Sequence, residues 1–177
     1  MAFTLLLLAF PREARAEGKD KAGRWMANIR LGVAANLGDS FDGAGRRFYR
    51  RAQAVISPEI AVALDRGYHA YLGIIPQFQV GDSFTVINIP LTFQYDIELP
   101  VKGLFIYPKV NAGYSHWLEA NGNYFVIEPQ VGIKYQFHKN VHVGGEPLGF
   151  PIYIGERNGR SDVGGQYHFL GGIGFDW

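Results

Sequence analysis

Apolar and polar residues alternate along most of this chain with a period of two, the signature of β-strands with two unlike faces. The alternation predicts eight strands, near 24–37, 54–65, 68–80, 84–97, 103–117, 123–137, 140–154 and 165–177. The sixth is the cleanest. Phe125, Ile127, Pro129, Val131, Ile133, Tyr135 and Phe137 share one face; Glu128, Gln130, Gly132, Lys134 and Gln136 share the other. In the first, Trp25, Ile29, Leu31 and Val33 oppose Arg24, Asn28, Arg30 and Gly32. The seventh slips out of phase around Gly145 to Gly149, which predicts a bulge.

The connections divide into two kinds. Asp65-Arg66-Gly67, Leu99–Lys102 and His138-Lys139 are short, whereas Gly38–Gln53 and Gly155–Gly164 are long. Short turns at one end and longer loops at the other describe an up-and-down barrel of the outer-membrane type. The short Gly81–Ser83 connection is the exception.

A soluble lipocalin-like carrier also uses eight alternating strands, with an apolar interior. The character of the polar face argues against it. That face is mostly Asn, Gln, Thr, Ser, Gly and Tyr, whereas a face turned to water carries many Lys and Glu. The apolar runs suffice for the ~9–11 residues a tilted strand needs to cross a bilayer. Composition agrees: charged residues are 19%, aromatics 15%, and the chain has 23 Gly and no Cys. Absent cysteine excludes disulfides and thiolate metal sites. A formal charge of +1 gives no general pull toward nucleic acid.

The start, MAFTLLLLAFPREARA, reads as a signal peptide: an apolar stretch from Phe3 to Phe10, then Ala14-Arg15-Ala16. The expected organisation is a leader over 1–16, a short periplasmic tail over 17–23 and a barrel over 24–177. Aromatics gather toward both ends of the strands, as interfacial girdles do. Trp25, Tyr95, Tyr135 and Trp177 fall at the tight-turn end; Phe78, Tyr114, Trp117, Tyr124 and Tyr153 fall at the other.

The last strand, QYHFLGGIGFDW, places Tyr167, Phe169, Ile173 and Phe175 on one face and ends on Trp177. With the leader and the eight alternating segments, it makes the chain resemble the small eight-stranded outer-membrane barrels of the OmpA/OmpX-like class. The resemblance implies an all-β, antiparallel transmembrane barrel in the bacterial outer membrane, with both mature termini in the periplasm. It implies that those five residues act as an assembly signal for the barrel-assembly machinery. Its other implied partners are outer-membrane lipid and lipopolysaccharide. A monomer is expected, with no cofactor.

Closure must pair the first and last strands, so Arg24 and Asp176 are expected to meet at the seam. The polar face carries both signs of charge: Arg30, Glu59, Lys109, Glu128, Lys134 and Glu146. Strands five and six form a hairpin, which makes Lys109 and Glu128 expected neighbours. These residues predict a polar network plugging a narrow interior. A narrow pore for small solutes is the alternative. Prolines 58, 76, 90, 108, 129 and 147 fall one to a strand in strands two to seven, with Pro151 in addition. Each removes one ladder donor.

Three further groups of residues bear on chemistry. Arg46, Arg47, Arg50 and Arg51 flank Phe48 and Tyr49 in the first long loop, a set suited to lipopolysaccharide phosphates or another anionic partner. Ser115, His116 and Glu119 lie close together, as in a membrane lipid A hydrolase. Alternation nevertheless puts Ser115 and His116 on opposite faces, so no catalytic role is expected. His69, His142 and His168 share the polar face at different heights, which predicts hydrogen-bonded interior histidines rather than a metal site.

Overall fold

A computed structural model describes residues 25–37, 52–65, 67, 69–81, 85–118, 121–157 and 160–177. Among these residues, eleven strand segments build an antiparallel barrel of eight staves. β1 (Trp25–Asn36) and β2 (Gln53–Ala63) are the first two. β3 (Ala70–Ile74) and β4 (Gln77–Val80) make the third. β5 (Thr85–Tyr95) with the short β6 (Ile97–Glu98) makes the fourth. β7 (Leu104–Trp117) and β8 (Gly122–His138) are the fifth and sixth. β9 (Val141–Gly149) and β10 (Ile152–Arg157) form the seventh, and β11 (Arg160–Asp176) the last.

β11 pairs with β1 from Met26↔Asp176 to Asn36↔Gln166, which closes the sheet. Trp25 and Trp177 then exchange two backbone bonds of 2.9 Å, so pairing runs to the last residue. No stave is left as an edge, which removes the unpaired backbone groups that would be costly in lipid.

The two faces follow the alternation. Ile29, Leu31, Val33, Leu91, Phe93, Phe125 and Ile133 face outward and are exposed. Arg30, Glu59, Asn88, Thr92, Lys109 and Glu128 face inward and are buried. This is the inverse of a soluble carrier, whose apolar face lines the cavity. So continuous an exposed apolar surface requires a partner phase.

Three features depart from the expectations, and a fourth bears one out. First, Gly155–Gly164 is not a loop. β10 and β11 pair across it from Ile152↔Gly165 to Arg157↔Arg160. The outward Ile152, Ile154 and Val163 keep the alternation going. The sequence between the paired ends is Asn158-Gly159, the pair that two-residue hairpin turns prefer. The glycines suggested a loop; Gly155 instead packs against Tyr124, where a Cβ would sit 2.7 Å from the ring.

Second, the third stave begins at Ala70, two residues later than expected. Asp65 Oδ1 caps that turn by accepting from the backbone N–H groups of His69 (2.8 Å) and Ala70 (2.9 Å). Third, Trp117, Tyr124 and Tyr153 turn inward instead of joining an outer girdle. Trp117 shares parity with Asn111 and Ser115 on its strand, and Tyr124 with Glu128 and Gln130 on its own, so the alternation itself marked these two as interior; Tyr153 lies beyond a bulge that reverses its parity.

Fourth, the bulge in the seventh stave is real and has a defined effect. Between Glu146 and Gly149 this stave spends one residue more than either neighbour, β8 or β11. Inward positions run His142, Gly144, Glu146 before the bulge and Gly149, Pro151, Tyr153 after it. The bulge is therefore what lets both Glu146 and Tyr153 face the interior.

Three of the prolines keep the acceptor half of their backbone pairing. The carbonyls of Pro90, Pro129 and Pro151 accept from Ile75 (3.1 Å), Phe150 (3.1 Å) and Gln166 (3.0 Å) on neighbouring staves. Only the donor is lost. Pro90 and Pro151 are buried, whereas Pro108 and Pro129 are exposed, so the set does not lie on one face.

Candidate functional site

The interior holds the chemistry, and its centre is a four-residue ion cluster. Arg30 of β1 contacts Glu59 of β2, and its Nε lies 3.1 Å from Glu146 Oε1. Lys109 of β7 lies 3.2 Å from Glu59 and 3.0 Å from Glu146. Two cations thus serve two carboxylates, with no net charge among the four. Buried ions are tolerated only when paired and hydrogen-bonded in this way.

Lys109 does not pair with Glu128. Its register partner is Gln130, and Glu128 lies opposite Asn111. The Lys109 side chain reaches across the lumen to staves two and seven instead of sideways along the hairpin. Alternation fixes the face of a residue, but in a lumen this narrow a long side chain selects partners from the opposite wall.

Glu128 has its own shell of four donors. Its Oε2 accepts from Gln77 and Asn111, both at 2.9 Å. Its Oε1 meets Gln130 Nε2 at 2.8 Å and His168 Nδ1 at 2.6 Å. Nearer the tight-turn end, Asp96 takes Lys134 at 2.5 Å and Gln94 at 2.7 Å. Asp176 takes His142 at 2.9 Å, and the other nitrogen of that ring lies 2.8 Å from Asn28 Oδ1. Asp176 pairs in register with Met26; Arg24, its expected seam partner, lies outside the described residues. Each of these five buried carboxylates thus has a basic partner, three from Arg or Lys and two from His.

The network needs glycine at defined points. A Cβ on Gly174 would fall 1.9 Å from Asn28 Oδ1 and 2.2 Å from His142 Nε2, between the two atoms of their hydrogen bond. Gly174→Ala is expected to destabilise the barrel by about 1–3 kcal/mol, the usual cost of overpacking. The urea midpoint of the refolded protein measures it; an unchanged midpoint would mean the network yields freely.

Both ends of the interior are closed by bulky side chains. Toward the loop end, Trp117, Tyr124 and Tyr153 pack with Val86 and Val126. The Trp117 ring lies 4.8 Å from that of Tyr124 and 5.4 Å from that of Tyr153. Tyr153 also ties the plug to the polar layer, since its hydroxyl donates to Gln166 at 3.0 Å and accepts from Gln79 at 2.9 Å. Toward the tight-turn end, Met26, Ala61 and Tyr71 form a second apolar cluster. Lys134 Nζ sits 5.5 Å from the ring centres of both Tyr71 and Phe105. Between the ends, a cavity lined by Asn28, Arg30, Gln94, Tyr107, Lys134 and His142 measures about 10 Å³, room for one water.

Other candidate residues lie apart. Ser115 is buried inside, while His116 faces outward and bonds Asn123; Glu119 is outside the described residues. Ser115 and His116 therefore cannot act on one substrate. The loop arginines, Arg46, Arg47, Arg50 and Arg51, also lie outside the described residues. Tyr167, Phe169, Ile173, Phe175 and Trp177 line the outer wall of β11 and the residue after it; the Tyr167 hydroxyl donates to the Pro147 carbonyl. His142 and His168 sit on separate carboxylates, and His69 Nδ1 lies 3.1 Å from the Asp96 carbonyl. Among the described residues no group of His, Asp and Glu is arranged to hold a metal ion.

No protein-family model matches the chain, and no curated protein matches its sequence. Solved structures do match in shape. Neisserial surface protein A superposes over 88% of this chain and 99% of its own, with a TM-score of 0.67 and 8% identity. The N-terminal β-barrel domain of Pseudomonas aeruginosa OprF matches over 88% of this chain and 99% of its own, with a TM-score of 0.56 and 12% identity. The P. aeruginosa outer membrane protein OprG matches over 88% of this chain and 97% of its own, with a TM-score of 0.50 and 9% identity. The inverted faces, the closed seam and these likenesses agree: the chain has the fold of the small eight-stranded outer-membrane β-barrels.

Proposed function

We propose that the protein is an integral outer-membrane barrel with a structural or surface-interacting role, and that it neither conducts solutes nor catalyses a reaction. Both mature termini lie in the periplasm in this reading, because tight turns occupy that side in barrels of this kind. The filled interior carries the proposal. Ion pairs and amides occupy the middle, aromatic and apolar clusters occupy both ends, and the cavity between them has room for one water. An eight-stranded barrel is just wide enough for its side chains to fill it. Activity is then left to the outer surface and the loops. The arginines at 46, 47, 50 and 51 belong to the same proposal, as a site for lipopolysaccharide phosphates or another anionic partner.

Planar-bilayer recording tests the sealed interior. Purified protein inserted into a phospholipid bilayer is expected to show no stable current steps. Reproducible single-channel currents would establish the narrow-pore alternative instead.

A further inference from the structure

One row of outward-facing side chains interrupts the apolar wall. His116 of β7 lies opposite Asn123 of β8, Asn123 opposite Glu156 of β10, and Glu156 opposite Ser161 of β11. These four positions form a continuous polar line across staves five to eight. The adjacent row on the same face reads Tyr114, Phe125, Ile154 and Val163, all exposed and all aromatic or aliphatic. The wall therefore changes from apolar to polar within one step of the alternation. On the neighbouring fourth stave the matching position is Ile87, so the polar line does not continue that way.

The line is organised around Asn123. Its Oδ1 accepts from the Tyr114 hydroxyl at 2.6 Å and from His116 Nδ1 at 2.8 Å. The Tyr114 and His116 rings are nearly parallel, 10° apart with centres 6.4 Å from each other. The amide nitrogen of Asn123, the second nitrogen of His116, the Glu156 carboxylate and the Ser161 hydroxyl remain for an external ligand. This set mixes donors and acceptors and contains no Lys or Arg. It is poorly suited to a phosphate, which calls for concentrated positive charge. It suits sugar hydroxyls, each a donor and an acceptor, above aromatic rings that seat the apolar part of the same molecule.

We infer that the outer wall of staves five to eight binds the sugar headgroup of an outer-leaflet glycolipid. His116, Asn123, Glu156 and Ser161 contact the sugar, and Tyr114, Phe125, Ile154 and Val163 lie against the first part of its acyl chains. The inference rests on the proposed membrane location and on the orientation that puts this rim outside. It is separate from the arginine loop, because it reads sugar rather than phosphate.

The test uses the full barrel with Arg46, Arg47, Arg50 and Arg51 replaced by Ser, so that the proposed phosphate site is silent, refolded in a zwitterionic detergent and titrated with purified rough lipopolysaccharide. A double variant of this parent, His116→Leu with Asn123→Leu, removes the polar centre while keeping the wall apolar; heat-modifiable gel migration checks that it folds. The variant is expected to bind at least tenfold more weakly than the parent. Dephosphorylated lipopolysaccharide is expected to bind the parent within about threefold of the phosphorylated form. Equal binding by the variant overturns the inference, and so does loss of binding on dephosphorylation, which would mark a phosphate site. Orientation is read separately. The chain has no native cysteine, so a Ser161→Cys variant is labelled only at that rim. Labelling of intact cells by an impermeant thiol reagent supports the outward orientation. Absence of labelling overturns the orientation and the glycolipid assignment together; labelling with no binding loss in the double variant overturns the assignment alone.

Discussion

Replacing Lys109 with Met is expected to destabilise the folded barrel by about 3–5 kcal/mol, the cost of leaving a buried ion without its partner. Lys109 is fully enclosed and contacts Glu59 and Glu146 from the opposite wall. In its absence Arg30 alone faces two carboxylates, which leaves one of the two buried charges without a partner. Methionine keeps most of the side-chain volume, so the loss reports charge rather than a cavity. Adding Glu146→Gln to Lys109→Met restores one cation to one carboxylate and is expected to recover much of the loss. That recovery is the coupling that a double-mutant cycle isolates. Urea-induced unfolding in phospholipid vesicles, followed by heat-modifiable migration, measures all three variants. A loss under about 1 kcal/mol in the single variant would mean the cluster is solvated and the interior more open than its packing shows.

Replacing Leu91 with Arg is expected to cost about 2–4 kcal/mol, the penalty for arginine on the lipid face at the bilayer midplane. Leu91 is 62% exposed and lies near the middle of β5. The same change at Val163, close to the polar rim, is expected to cost only about 0–1 kcal/mol, because the side chain reaches the interface there. This gradient with depth separates a membrane barrel from a soluble one. On a water-facing wall both substitutions would stay within about 0.5 kcal/mol, as exposed positions usually do. Equal, small effects at the two sites would therefore defeat the membrane reading.

Much of this fold was legible along the chain because a strand repeats every two residues. Each of Arg30, Glu59, Lys109, Glu128, Lys134 and Glu146 lies on the polar face that alternation assigned, and all six are buried. For Glu146 that parity held only on one side of the bulge. The errors arose where a local cue competed with the alternation. Glycines in 155–164 suggested a loop, whereas the Gly155 site is shaped by the Tyr124 ring against it. Aromatics near strand ends suggested a girdle, although the parity of Trp117 and Tyr124 already directed them inward. The outer polar row was missed for another reason. Its members, His116, Asn123, Glu156 and Ser161, are scattered over four segments, and only the registers of three strand pairs bring them into line.

The sequence by itself determined which residues face lipid and which face the interior, how many staves there are, and where the seventh goes out of phase. These are local consequences of pleat geometry, readable from neighbours two positions apart. Tertiary structure alone decided who meets whom inside. Lys109 bonds to glutamates 50 and 37 residues away in sequence, and Asn28 meets His142 at a separation of 114. Such pairs are set by closure, register and the width of the lumen. No short-range pattern encodes those quantities, because they exist only once Trp25 and Trp177 have joined the two ends of the sheet.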